Sequence, residues 1–270
     1  MKRTEHRAAA LRPAKKDVAR IAGLPAVAAL FKAAPERVER LFFEERARAS
    51  VAPFCAALAR IHKPFRLVGS DELDRIAGTL LHGGIVAIAR PQTIHPFDPE
   101  AATQWASDRQ PLLILDGVSN PHNLGAIART AAFFGLPRMV LSDHPAQALP
   151  SDASYRVSEG GLEHLELHRA ARLAQALKRL KASYRTVAAA PGRHRDLAAL
   201  RPGDKPVALL LGNEEDGLPR ATLSTCEDVV AIPGSGRVQS LNVAASAAIL
   251  LYAVSSVSRR ELPRSVNDTG

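Results

Sequence analysis

The chain has 270 residues, 36 Lys plus Arg against 27 Asp plus Glu, a formal charge of +9 and a pI near 10.1. That length fits two modest domains or one large one, and buries a core without metals or disulfides. Only Cys55 and Cys226 are present; they read as small core residues, and no zinc or iron–sulfur cluster can be argued from them.

The first twenty residues hold Lys2, Arg3, Arg7, Arg12, Lys15, Lys16 and Arg20 against Glu5 and Asp17, more than half of the positive surplus. This basic tail, 1–20, is either a solubilising extension or an electrostatic arm for nucleic acid, and by itself carries no sequence specificity. No long apolar run opens the chain, and the apolar stretch near the C-terminus is interrupted by Asn242, Ser246 and Ser255. Neither a signal peptide nor a membrane span is indicated, and the expected location is cytoplasmic.

Hydrophobic periodicity then predicts a helix over 26–31, strand 38–43, helix 52–62, strand 65–68, short helix 71–77 and strand 84–89, a small α/β sandwich over 21–90. The stretch RPQTIHPFDPEAATQWASDRQP, with four prolines and little periodicity, reads as a linker over 91–110. Strands follow at 112–115, 138–141, 186–190, 207–211 and 229–232, with helices at 123–134, 163–180 and 220–224 and a last helix from about 240. Near-continuously apolar strands between helices imply a mostly parallel sheet covered on both faces. Residues 259–270 read as a C-terminal tail.

In such a sheet ligands bind beyond the carboxyl ends of the strands. Three polar loops fall at that edge, 116–123, 212–217 and 234–239, and the segment LLILDGVSNPHNLGAIARTAAFFG (112–135) runs from strand through turn into a helix carrying Arg129. Asn120 before Pro121 suits a helix cap and first position, with Asn123 as the alternative cap. None of the loops carries G-x-G-x-x-G after a strand, which argues against a nicotinamide-binding site. His122 lies in the first loop, whereas His82, His95 and His144 show no metal-ligand spacing. With eight Phe, three Tyr and one Trp, an extensive aromatic surface for stacking nucleic-acid bases is not expected.

NPHNLGAIARTA (120–131), GNEEDGL (212–218) and IPGSGRVQSLNVAAS (232–246) resemble, in order and separation, the three motifs of the SpoU/TrmH family of RNA 2'-O-ribose methyltransferases, within the SPOUT superfamily. IAGLPAVAALFKAAPERVERLFF and HGGIVAIA resemble the L30e-like substrate-binding domain that many members carry. A departure is Gly234, where the family usually has Met. The resemblance implies an α/β fold with a trefoil-knotted C-terminal SPOUT methyltransferase domain over 111–258 and a smaller L30e-like domain, working as a homodimer on S-adenosylmethionine.

The implied chemistry is transfer of the sulfonium methyl to a ribose 2'-hydroxyl in structured RNA, ribosomal in preference to transfer RNA. A catalytically weak RNA-binding or ribosome-assembly protein is the reading from another class. By correspondence, Arg129, Asn123, Glu214, Ser240 and Asn242 form the catalytic set, and Leu211, Gly212, Asn213, Ile232, Ser240 and Leu241 contact the cofactor. An arginine is a poor base because its pKa exceeds about 12. Arg129 therefore either takes the hydroxyl proton with help from its surroundings or orients a phosphate while another group accepts it. Taken singly, Asn123, Ser240 and Asn242 read equally as helix-start residues and Glu214 as a turn residue.

Overall fold

The computed structural model describes residues 18–192, 197–200 and 203–259; nearly all of the basic N-terminal segment and the last eleven residues lie outside that range. The first sheet has four strands in the order β1-β4-β2-β3, where β1 is Ala19–Ala22, β2 Val38–Phe43, β3 Phe65–Leu67 and β4 Ile85–Ala89. The β1–β4 and β2–β4 pairs are antiparallel and β2–β3 is parallel. Helices α1 (Leu24–Ala33), α2 (Arg48–Arg60) and α3 (Ser70–Ala77) connect them.

β1 is an addition to the predicted elements, and it begins inside the segment read as a tail. Ala19 and Ile21 are buried in the core, and Arg20 pairs with Asp152 of the larger unit. Four residues beside a basic run offer too short a pattern for periodicity to register. α2 starts four residues earlier than expected and tolerates Pro53 in its second turn.

The second sheet has seven strands, all pairs parallel, in the order β11-β9-β10-β6-β7-β8-β5. They are β5 Ile94–Pro96, β6 Leu112–Asp116, β7 Arg138–Ser142, β8 Glu166–Ala170, β9 Arg185–Ala189, β10 Val207–Gly212 and β11 Asp228–Val230. Alternate residues serve opposite faces. Leu113 and Leu115 join the core under α5 (Pro121–Phe133) and α9 (Val243–Arg259). Leu112 and Ile114 join Leu173, Leu177 and Leu180 of α7 (Leu173–Leu180) on the other side. Both faces being covered is why these strands are apolar throughout.

Two expectations need correction here. The stretch 91–110 contributes β5 to the sheet edge and α4 (Ala102–Ser107), whose Trp105 packs on His168 and under Arg138. The helix expected over 163–180 is instead a 3₁₀ turn at Gly161–His164, strand β8 and the shorter α7, with Arg172 in a left-handed conformation (φ 53°) breaking the chain between them. Leu167 and Ala170 are buried residues of β8 whose i, i+3 spacing also fits a helical stripe in a short window. Ahead of them lies α6 (Asp152–Ser158), closed by a Ser151–Ser154 capping box that the sequence reading passed over.

The two sheets share one continuous core. Ala26, Val27 and Leu30 of α1 belong to the same apolar cluster as Tyr155, Leu162 and Leu165. Polar contacts cross the same seam: Arg37 pairs with Glu163, and Gln92 donates through its backbone N–H to the Tyr155 hydroxyl and through Nε2 to the carbonyls of Leu162 and Leu165.

Candidate active site

Strand order reverses direction between β6 and β10: β7 and β8 lie to one side of β6, β9 and β11 beyond β10. The loops leaving these two strands therefore face each other across a crevice, the place where open parallel sheets take ligands. After β6, Asn120 caps α5 by accepting from the His122 N–H at 2.8 Å, with Pro121 in the first turn. Of the two candidate caps, Asn120 holds the position and the Asn123 side chain is released for another task.

That task is set by Glu214 in the loop after β10. Its carboxylate accepts from the Ser119 N–H and hydroxyl (both 3.0 Å), the Asn120 N–H (3.2 Å) and Asn123 Nδ2 (2.8 Å). Asn123 Oδ1 in turn accepts from Asn242 Nδ2 at 3.1 Å. Three loops distant in sequence are thus joined through one carboxylate and two amides. Burial pushes the Glu214 carboxyl up, but hydrogen bonds from Asn123, Ser119 and Asn120 outweigh it and hold the group below its ordinary range.

Asn213 closes the second loop on itself. Its Oδ1 accepts from the N–H groups of Glu215 and Asp216, and its Nδ2 donates to the Gly117 carbonyl. Gly212 sits where no side chain fits, since a Cβ there would come 2.4 Å from the Gly217 carbonyl carbon. Gln147, 30 residues from the first loop, accepts from Gly117 N–H and donates to the Val118 carbonyl. Ser119 and Gln147 were missed by the sequence reading: Ser119 lay unremarked within the first loop, and nothing in the sequence marks Gln147.

Leu211, Gly212, Asn213, Glu214, Ile232, Ser240 and Leu241 all line a cavity of about 660 Å³ at the carboxyl ends of β9, β10 and β11. The helix expected from residue 240 starts instead at Val243; Asn242 precedes it and accepts from the Ala244 N–H, while Ser240 lies in the loop before it. Gly234 has nothing within 4 Å of a built Cβ, so the position has room for a side chain. Arg129 is exposed on α5, outside the cavity lining, and pairs with Glu159 at 2.9 Å. His122 is exposed.

The lining suits S-adenosylmethionine. Leu211, Val230, Ile232 and Leu250 supply apolar wall, the loop 233–236 supplies backbone polar groups, and no described lining side chain is basic while Glu214 and Glu215 contribute carboxylates. Such a wall fits a ligand that combines an apolar ring with positive charge. Cys226 and Cys55 take no part; burial pushes the Cys226 thiol up to about 12 and raises that of Cys55.

Fold and site together define an α/β enzyme that holds a nucleoside-containing cofactor at the carboxyl edge of a parallel sheet, joined to a second α/β unit. Residues 110–252 match the SpoU rRNA Methylase family, and residues 20–94 match the RNA 2'-O ribose methyltransferase substrate binding domain. The chain belongs to the SpoU family and is an S-adenosylmethionine-dependent RNA 2'-O-ribose methyltransferase. Among its relatives is the 23S rRNA (guanosine-2'-O-)-methyltransferase RlmB of Acinetobacter baylyi, 33% identical over 85% of this chain and 94% of the relative. The uncharacterized tRNA/rRNA methyltransferase YfiF of Escherichia coli O157:H7 is 30% identical over 89% of this chain and 69% of the relative. In fold the chain is similar to the AdoMet-bound rRNA methyltransferase from Sinorhizobium meliloti, with a TM-score of 0.69 and 23% identity over 91% of this chain and 88% of that one.

Proposed function

We propose that the chain methylates a ribose 2'-hydroxyl of ribosomal RNA. The observation that carries the site assignment is the Asn242–Asn123–Glu214 linkage, which locks the three loops into one wall beside the cavity. The ribosomal preference is supported by relatives named for 23S rRNA whose own length is matched nearly end to end.

When bound, S-adenosylmethionine supplies a methyl group on a positively charged sulfur. Leu211, Gly212, Asn213, Ile232, Ser240 and Leu241, which line the cavity, would hold it. Methyl transfer requires an in-line approach of the hydroxyl oxygen, so positioning supplies much of the rate. Glu214, Asn123 and Asn242 keep the loops in register for that approach. Arg129, displayed on the helix that Asn120 caps, engages the RNA phosphate beside the reacting ribose and disposes the hydroxyl toward the cavity. The unit over 21–90 captures RNA, and the shared cavity lining of the segment between β11 and α9 with the loops after β9 and β10 supports the knotted threading implied by the family. Phe133 and Tyr252, 78% and 63% exposed on α5 and α9, support a homodimer through that face.

Mapping ribose methylation in total RNA from matched cells with and without the protein tests this reading. Loss of one ribosomal mark is the expected result. Loss of a transfer RNA mark alone would reassign the substrate, and RNA binding with no methylation of any RNA would leave a binding protein.

A further inference from the structure

Arg129 is gripped by a single turn. Its Nη1 lies 2.9 Å from Glu159 Oε1, and a Cβ built on Gly161 would stand 2.6 Å from Arg129 Cα, so the turn rests directly on the α5 backbone at this residue. Glu159 follows the last residue of α6 and adopts φ 46°, a left-handed conformation that non-glycine residues seldom enter. The other side of the turn is seated against the RNA-capturing unit: a Cβ on Gly160 would come 2.5 Å from Ala29 Cβ, and Glu163 pairs with Arg37. A backbone held this tightly fixes where the Glu159 side chain leaves the main chain, beside Arg129.

We propose that Glu159 is a positioning residue for Arg129, setting the guanidinium in its RNA-ready orientation; this rests on the role of Arg129 given above. A guanidinium offers five N–H donors in a rigid fork. Engaging Nη1 with a carboxylate leaves Nε and Nη2 for a phosphate. The long side chain gives up its rotamer freedom when the protein folds and not when RNA arrives, and this pre-organisation favours the chemical step. Because both partners are about half exposed (57% and 48%), the effect is modest. The turn also links the docking of the first unit to the geometry of the second.

The test uses the full chain with total ribosomal RNA and saturating S-adenosylmethionine, in single-turnover methylation. Glu159→Gln keeps the side-chain size and backbone preference and removes only the charge. It is expected to slow methyl transfer about threefold to fivefold at saturating RNA, with RNA affinity not weakened, cofactor affinity unchanged and Tm unchanged. Glu159→Asn, which tolerates the left-handed backbone and shortens the carboxylate away, should show the same loss. In an Arg129→Ala background, itself strongly slowed, Glu159→Gln should produce no further loss. A wild-type rate for Glu159→Gln beside a slow Arg129→Ala overturns the positioning role alone, as does an equal loss from Glu159→Gln in both backgrounds, or a loss confined to RNA affinity. A near wild-type rate for Arg129→Ala overturns the reading of Arg129 itself.

Discussion

Asn242 and Asn123, 119 positions apart, meet side chain to side chain: the amide of Asn242 donates to the carbonyl oxygen of Asn123, whose own amide donates to Glu214. Each amide flip or substitution along this line leaves an oxygen or N–H facing its like. The chain of three groups explains how a helix start, a turn acid and a capping-type residue act as one structure.

Glu214 is the acceptor on which that structure converges. Glu214→Gln, which turns an acceptor edge into a donor, should weaken S-adenosylmethionine binding about tenfold or more, since hydrogen bonds to charged groups are the strong ones. Calorimetric titration measures this. The carboxyl is held below its ordinary value, so its stabilising contribution is complete above about pH 4.5 and is lost as pH falls through the lower folded value. The Tm gap between wild type and Glu214→Gln should accordingly narrow as pH falls below about 4.5; a gap that stays constant on acidification contradicts the hydrogen-bond account.

His168 is buried against Trp105, ring centroids 4.8 Å apart, with Nε2 3.2 Å from Glu166 Oε1. Burial lowers its pKa despite Glu166 nearby, with His95 and Arg138 also lowering it. A histidine whose folded pKa is depressed stabilises the fold above its unfolded value of about 6.5 and loses that contribution as pH falls below it. Wild type should therefore lose Tm more steeply than His168→Phe as pH falls below about 6.5. Trp105 is the chain's single tryptophan, so its fluorescence reports the release of α4 in the same titration.

Arg37 and Glu163 form an ion pair across the seam of the two units, with side-chain exposures of 11% and 2%. Burial pushes the Glu163 carboxyl up, and Arg37 offsets part of that rise. Removing one partner strands the other: Arg37→Met should cost about 3–5 kcal/mol in urea unfolding, while Arg37→Met combined with Glu163→Met should restore most of it. Equal costs for single and double variants would mean that the pair is not what holds this seam.

The basic N-terminal run precedes β1, which begins at Ala19. Deleting residues 1–17 removes six basic and two acidic side chains, four net positive charges. RNA binding should weaken and its salt dependence become shallower, because fewer counterions are released, while the rate at saturating RNA stays the same. An unchanged salt slope would mark the segment as a solubilising extension.

Five of the seven strands of the parallel sheet, the three polar loops at its edge and the motif residues were legible in the linear sequence, because apolar runs such as β6, β7, β9 and β10 are bounded by Pro, Gly and Asn, whose backbone preferences act locally. Tertiary structure alone decided the remainder. Leu167 and Ala170 stand at a spacing that fits a helical stripe as well as a strand, and only the flanking strands β7 and β5 make β8 a strand. β5 is too short to declare itself without β8 beside it. Asn123 reads as a cap until Asn120 is seen to occupy that position, and Glu214 reads as a solvated turn until Ser119, Asn120 and Asn123 converge on it from across the crevice. Glu159 carries no local signal at all: its place beside Arg129 depends on a turn packed between α1 and α5. Periodicity records what a residue does within its own element, whereas these contacts join residues about 30 to 120 positions apart and exist only once the elements have docked.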